Sequence, residues 1–243
     1  MNSGTAIAIV PARFNSTRLP GKPLIEIAGK PLIEHVYRRV AQARLIGRIV
    51  VATDDERIYR AVESFGGTAR MTRRDHPSGT DRVAEAVSDL PPETLVVNVQ
   101  GDEPLIEPEA IDRAVEAAQR ASADVVTLMS RFANPAMADD PNRVKVVVGR
   151  DGAALYFSRS RIPSSGQCFL HIGLYAYRVQ FLRRFVRLER TPLEMVERLE
   201  QLRALEHGFR IEVVEVPAGP SGAWGIDTPA DLEEFRRIVS GAV

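Results

Sequence analysis

Three cations are strung along one stretch of the chain, Pro11-Ala12-Arg13-Phe14-Asn15-Ser16-Thr17-Arg18-Leu19-Pro20-Gly21-Lys22-Pro23. Arg13, Arg18 and Lys22, spaced along a loop whose small and imino residues suit close backbone approach, can fold around a polyphosphate. The loop has neither the Walker A spacing nor the GxGxxG pattern. It follows a short apolar run at 6–10, and the turn after the first strand of a βαβ unit is a place where phosphates bind. A surface loop with solvated charges is the alternative reading.

Two carboxylates occupy comparable places. Asp102 stands just past the apolar run 95–99, after Gln100 and Gly101. A carboxylate there suits Mg²⁺, a hard ion that takes one or two carboxylates and completes its shell with phosphate and water oxygens. Asp227, in Gly225-Ile226-Asp227-Thr228-Pro229, is the second. Each could equally cap a turn or a helix. Arg73, Arg74 and Asp75, followed by Ser78-Gly79-Thr80 at a helix start, offer backbone N–H groups and hydroxyls to a nucleoside. The four histidines form no HxH or HxxxH pair, and no GxSxG elbow occurs, which argues against a zinc enzyme and a serine hydrolase.

The elements that must position these residues alternate between strand and helix patterns. Strands are expected at 6–10, 49–53, 68–72 and 95–99, and helices at 31–43, 55–65, 80–90 and 108–122. Extended pieces follow at 124–131, 144–148 and 154–158, the last two joined by a hairpin turn at Arg150-Asp151-Gly152. A strand is expected at 171–177, one continuous helix at 192–207, a strand at 211–216 and a final helix at 230–239. Along the 192–207 helix, Met195, Leu199, Leu202 and Leu205 recur at core spacing, while Glu194, Glu197, Glu200 and Gln201 read as a solvated face. This order predicts an α/β, three-layer nucleotide-binding domain with a mostly parallel sheet. The whole chain, 1–243, is read as one domain, with a smaller mixed lobe for substrate at about 124–190.

Composition sets the class. The 243 residues carry 32 Lys+Arg against 32 Asp+Glu and are 44% hydrophobic, which fits a folded globular chain and excludes disorder or a collagen-like repeat. A zero balance is a poor footprint for a nucleic-acid partner. No run approaches the ~18 apolar residues of a membrane span, and no secretory leader is written at the N-terminus. With a single cysteine, Cys168, no internal disulfide can form, so a cytoplasmic setting is expected.

The order of motifs PARFNSTRLPGKPL, VATDD, MTRRDHPSGTDR, VVNVQGDEPLI, ALYFSRSRIP, HIGLYAYR, PLEMVERLEQLRALEHG and GIDTPADLE resembles the 3-deoxy-manno-octulosonate (Kdo) cytidylyltransferases over nearly the whole chain. The first loop alone indicates the wider sugar nucleotidyltransferases; the later segments narrow it. The resemblance implies a nucleotide-diphospho-sugar transferase-like fold, a homodimer formed through the smaller lobe, and the reaction CTP + Kdo → CMP-Kdo + pyrophosphate with Mg²⁺, feeding lipopolysaccharide synthesis. It also implies roles. Arg13, Arg18 and Lys22 would hold the triphosphate; Arg73, Ser78 and Gly79 would lie along the cytidine, with Gln100 toward the reacting centre. Asp102 and Asp227 would share the metal. Arg159, His171, Tyr175, Glu200 and Gln201 would line the sugar-acid site, Arg159 suiting a carboxylate. The segment 164–170 is shorter than in many members of that family, which leaves an amino-substituted Kdo or another ulosonic acid open as acceptor. A non-catalytic nucleotide-binding module is the alternative of a different class.

Overall fold

The structure is a computed structural model that describes residues 6–14, 19–120, 123–218, 225–226 and 228–241. In chain order its elements are β1 (Ala6–Ala12), β2 (Glu26–Ile27), β3 (Lys30–Pro31), α1 (Leu32–Val40), β4 (Ile46–Thr53), α2 (Glu56–Ser64), β5 (Ala69–Met71), α3 (Gly79–Ala86), β6 (Leu95–Asn98) and α4 (Pro108–Arg120). They continue with β7 (Val125–Arg131), β8 (Lys145–Val148), β9 (Ala154–Ser158), β10 (Phe169–Arg178), α5 (Val179–Phe185), α6 (Pro192–Glu197), α7 (Gln201–Glu206), β11 (Ile211–Glu215) and α8 (Pro229–Val239).

One sheet carries the strands in the order β11-β7-β10-β6-β1-β4-β5, with β8 added to β10 and β9 to β8. Pairings β1 to β4, β1 to β6, β4 to β5 and β7 to β11 are parallel, while β10 runs antiparallel to both β6 and β7. The sheet is buried on both faces, and the side-chain period of two sorts each strand between two cores. In β1, Ala6, Ala8, Val10 and Ala12 join the core under Ile33, Val36, Ile58 and Ile111, from α1, α2 and α4. Ile9 joins the opposite core with Val83, Leu182 and Leu202, from α3, α5 and α7. Helices on both faces of a largely parallel sheet give the expected three layers.

β7 and β10, although they fall inside 124–190, are strands of this main sheet; the β8–β9 hairpin is what that segment adds to it. Two expectations need correction. The helix expected at 192–207 is two helices, because Arg198 takes the left-handed conformation (φ 56°) and ends α6. That break resets the phase, so Met195 faces solvent rather than core, while Glu194 is buried. A helix, α5, also occupies 179–185. Among the described residues no helix is long and apolar enough to cross a membrane.

The carboxyl ends of β1, β4 and β6 lie side by side, and the chain leaves them toward Arg13, Asp54 and Gln100. The crossing there is tight: a Cβ on Gly101 would stand 2.6 Å from the carbonyl oxygen of Pro11. Gly101→Ala must therefore push two strand ends apart. It is expected to destabilise the protein by about 2 kcal/mol in urea unfolding; an unchanged midpoint would show that the strand ends are not in this contact.

Candidate active site

Lys22 is the residue on which the site converges. Its loop is closed at the base by Gly21, left-handed at φ 69°, whose N–H donates to the Phe14 carbonyl at 2.9 Å. A short 3-10 turn, Lys22–Leu24, then aims the lysine inward. Its ammonium donates to Asp102 Oδ2 at 2.6 Å and to the Ile226 carbonyl at 2.8 Å. The Ile226 N–H in turn donates to the Asp102 carbonyl at 2.9 Å, and Gly225 packs against the Asp102 carboxyl. The basic loop and the carboxylate after β6, which the sequence leaves 80 residues apart, thus meet directly.

Arg13 is exposed at the end of β1. Arg18 and Asp227 lie outside the described residues; Ile226, next to Asp227 in sequence, is fully buried beside Asp102. Among the described residues no group of three or more His, Cys, Asp or Glu side chains gathers as a metal cage. Asp102 by itself is a hard oxygen donor, one-third exposed beside a basic loop, and so fits an ion that brings its other ligands with it.

The segment expected to meet the nucleoside is built on α3. The Ser78 side chain caps that helix, accepting from the Asp81 N–H, and its hydroxyl donates to the Asp81 carboxylate. At Gly79 an added Cβ would meet the Pro11 ring at ordinary contact distance. Arg73 is exposed, within 3.6–3.7 Å of Asp75 and Glu85. Beneath it lies a residue the sequence did not reveal, Arg82. Fully buried, it donates to Asp54, Thr72 and the Arg73 carbonyl, and so pins the turns after β4 and β5 to α3. Burial holds its pKa down, partly offset by Asp54.

The remaining residues gather around β10, where the register with β7 shifts between Ile172 and Tyr175. Gln100 Nε2 donates to the Gly173 carbonyl in this bulge at 3.1 Å. The buried Thr127 hydroxyl lies 2.8 Å from the Leu174 carbonyl and 2.9 Å from His171 Nε2. A hydroxyl has one proton. If it goes to the carbonyl, the Nε2–H of a neutral His171 donates to Thr127, leaving Nδ1 as an acceptor. Neutrality follows from burial, which pushes the His171 pKa down to about 3. Its ring meets Phe157 edge-on at 4.8 Å and Tyr175 at 5.7 Å. Burial also raises the Tyr175 pKa well above its ordinary value, so this phenol stays protonated.

Tyr175, Glu200 and Gln201 line one cavity of about 30 Å³, together with Thr80 from the nucleoside segment. It is far smaller than a site that engulfs a ligand, so it forms a floor rather than the whole site. Arg159 lies outside that lining. Its backbone N–H donates to the Glu197 carboxylate, and its guanidinium donates to the Glu197 and Pro141 carbonyls. Glu197, expected on a solvated face, also accepts from Ser158 and Tyr156. Burial alone would raise its pKa, and these donors outweigh it and lower it. Lys145 is a second hidden charge: fully buried in β8, it donates to the carbonyls of Asp140, Arg143 and Arg159.

The matching family model is that of the cytidylyltransferases, over residues 7–211. A 3-deoxy-manno-octulosonate cytidylyltransferase of Geobacter sulfurreducens is 51% identical over 244 residues, covering 93% of this chain and 96% of that protein. The solved structure of a CMP:2-keto-3-deoxy-manno-octonic acid synthetase complexed with CTP superposes with a TM-score of 0.92 at 41% identity, covering 99% of this chain and all of that one. A cytidylyltransferase from Leptospira borgpetersenii, at 17% identity and a TM-score of 0.62, shares the fold over 98% of this chain and 87% of its own.

The buried neutral His171 has a pH consequence. The unfolded chain binds a proton at this residue below about pH 6.5, whereas the folded one does so only near pH 3. Stability from this residue is therefore present above pH 6.5 and is lost as pH falls. Between pH 7.5 and 5.5 the wild type is expected to lose about 1 kcal/mol more than His171→Gln in urea unfolding; parallel losses would mean that His171 is accessible to protons.

Proposed function

The chain belongs to the 3-deoxy-manno-octulosonate cytidylyltransferases, and on that premise we propose how its residues perform the reaction: CTP and Kdo give CMP-Kdo and pyrophosphate. The observation that carries the reading is the Lys22–Asp102 contact, which puts a phosphate-seeking cation and a hard carboxylate at one point beyond the strand ends.

In this reading Arg13, Arg18 and Lys22 hold the triphosphate, and Arg73, Ser78 and Gly79 lie along the cytidine. The anomeric hydroxyl of Kdo attacks the α-phosphorus and gives up its proton to solvent. The new O–P bond forms as the bond to the bridging oxygen of the β-phosphate breaks, and the electron pair leaves with pyrophosphate. Negative charge grows on the leaving group, where Lys22 and the arginines neutralise it. Gln100 faces the reacting centre. Arg159, His171, Tyr175, Glu200 and Gln201 receive the sugar acid, His171 through its free acceptor nitrogen. Asp102 and Asp227 would hold Mg²⁺, which when bound neutralises phosphate charge and templates the in-line geometry. No protein nucleophile is required. His35 and His207 are bonded to main-chain carbonyls, His76 to Glu85 and His171 to Thr127, and Cys168 is buried.

The substrate lobe is proposed to comprise the 124–190 segment, rooted in the main sheet through β7 and β10. The protein is proposed to pair as a homodimer through this lobe and the adjacent α6, because Leu155, Met195 and Val196 are 62%, 59% and 79% exposed there. A cytoplasmic setting suits the single buried Cys168.

Asp102→Asn and Lys22→Met are each expected to lower kcat/KM at least ~10²-fold, with CTP and Kdo in a pyrophosphate-release assay. A modest effect in both would remove these residues from the transition state. Faster turnover with 8-amino-8-deoxy-Kdo or sialic acid than with Kdo would move the acceptor. Val196→Asp is expected to shift the sedimenting species from dimer to monomer; an unchanged dimer would place the interface elsewhere.

A further inference from the structure

We infer that Thr80 is a positioning residue for the sugar acid, holding the Glu200 carboxylate of the acid side from the first turn of the nucleoside helix. The inference rests on the reading that Glu200 receives the acid. Thr80 stands next to Ser78 and Gly79, yet its hydroxyl is turned away from the Ser78–Asp81 cap and donates to Glu200 Oε2 at 2.5 Å, across 120 residues of chain. The other oxygen, Oε1, lies 3.5 Å from the Arg203 guanidinium.

That guanidinium cannot follow Glu200 if it moves. It is buried, bound at two nitrogens to Glu194 at 2.8 and 2.6 Å, and lies over the Phe185 ring. Glu194 is itself fastened, because its carboxylate also accepts from the Thr191 N–H at 3.4 Å. Glu200 therefore has a rigid cation on one oxygen, and Thr80 supplies the nearest fixed donor on the other. A half-buried glutamate has three torsions to fix, and one hydrogen bond from a helix start removes much of that freedom. Thr80 and Glu200 also line the same cavity as Tyr175 and Gln201, so a swing of the glutamate would reshape that floor.

The arrangement ties the two half-sites together. The segment assigned to cytidine and the segment assigned to the acid are joined by this bond, while the electrostatic influence of Asp81 on Arg203 acts across the same junction. The bond comes from the first turn of α3, so the acid side takes its alignment from the nucleotide side.

The test is a set of three variants assayed for pyrophosphate release with Mg²⁺, CTP and Kdo varied separately. Thr80→Val keeps the shape of the side chain and deletes the donor. It is expected to raise the KM for Kdo about tenfold, with the KM for CTP changed less than twofold. Thr80→Ser, which keeps the hydroxyl, is expected to restore the wild-type value to within about threefold. In the double variant Thr80→Val/Glu200→Ala, the KM for Kdo is expected to match that of Glu200→Ala alone, since the hydroxyl then has nothing to hold. If Glu200→Ala raises the KM for Kdo and Thr80→Val does not, the positioning role is overturned and the acid-site reading stands. If Glu200→Ala itself leaves that KM unchanged, the reading of Glu200 fails and the inference with it. Equal rises in both KM values for Thr80→Val would show a structural residue of α3 instead.

Discussion

The ion pair between Lys22 and Asp102 is the constraint on which the remaining architecture depends. Three distant points of the chain, at residues 22, 102 and 226, are fastened by one ammonium. Each is delivered there by a different part of the fold: the loop after β1, the turn after β6, and the return of the chain toward α8. An ammonium only 13% exposed needs partners for its protons, and a carboxylate beside it needs a cation. Removing either costs the other its charge partner, so the loop after β1 and the carboxylate take their places together. Under the proposed function, a triphosphate would meet a lysine already in place, which is the preorganisation that phosphoryl chemistry rewards.

The side proposed to receive the sugar acid is built on the opposite principle. It has few free charges, and its polar groups are held in defined states by burial. Thr127 and the β10 bulge set the orientation of His171, and burial keeps it neutral. Glu197 gathers the β9 end around Arg159, while Lys145 fixes the Arg159 carbonyl from beneath. β-Bulges next to active sites commonly re-aim side chains, and here the bulge puts Gly173 against Gln100 on one side and Tyr175 over the cavity on the other. Under the proposed function, charge attracts the nucleotide, and shape with oriented hydrogen bonds selects the sugar.

Much of the fold was legible in the sequence. Apolar runs of strand length marked the central strands, and their carboxyl ends pointed to Arg13, Lys22, Gln100 and Asp102, because open α/β sheets bind ligands there. What stayed hidden follows from two physical causes. A heptad-like stripe such as Met195, Leu199, Leu202 and Leu205 cannot show that Arg198 will turn left-handed and reset the helix, leaving Met195 in solvent. Charged residues read as surface, so Arg82, Lys145 and Glu194 gave no sign that buried partners awaited them: Asp54, three carbonyls and Arg203. These partners come from segments far apart in sequence, and only the packed fold brings them within hydrogen-bond reach.

Under the proposed function this chain positions and neutralises reactants and never bonds to the nucleotide. Stereochemistry at the α-phosphorus tests it most directly, using CTP made chiral there with sulfur and reading the configuration of the CMP-Kdo product. A single in-line displacement by the sugar hydroxyl predicts inversion. Retention would mean two displacements through a nucleotidylated protein side chain, and would contradict the account.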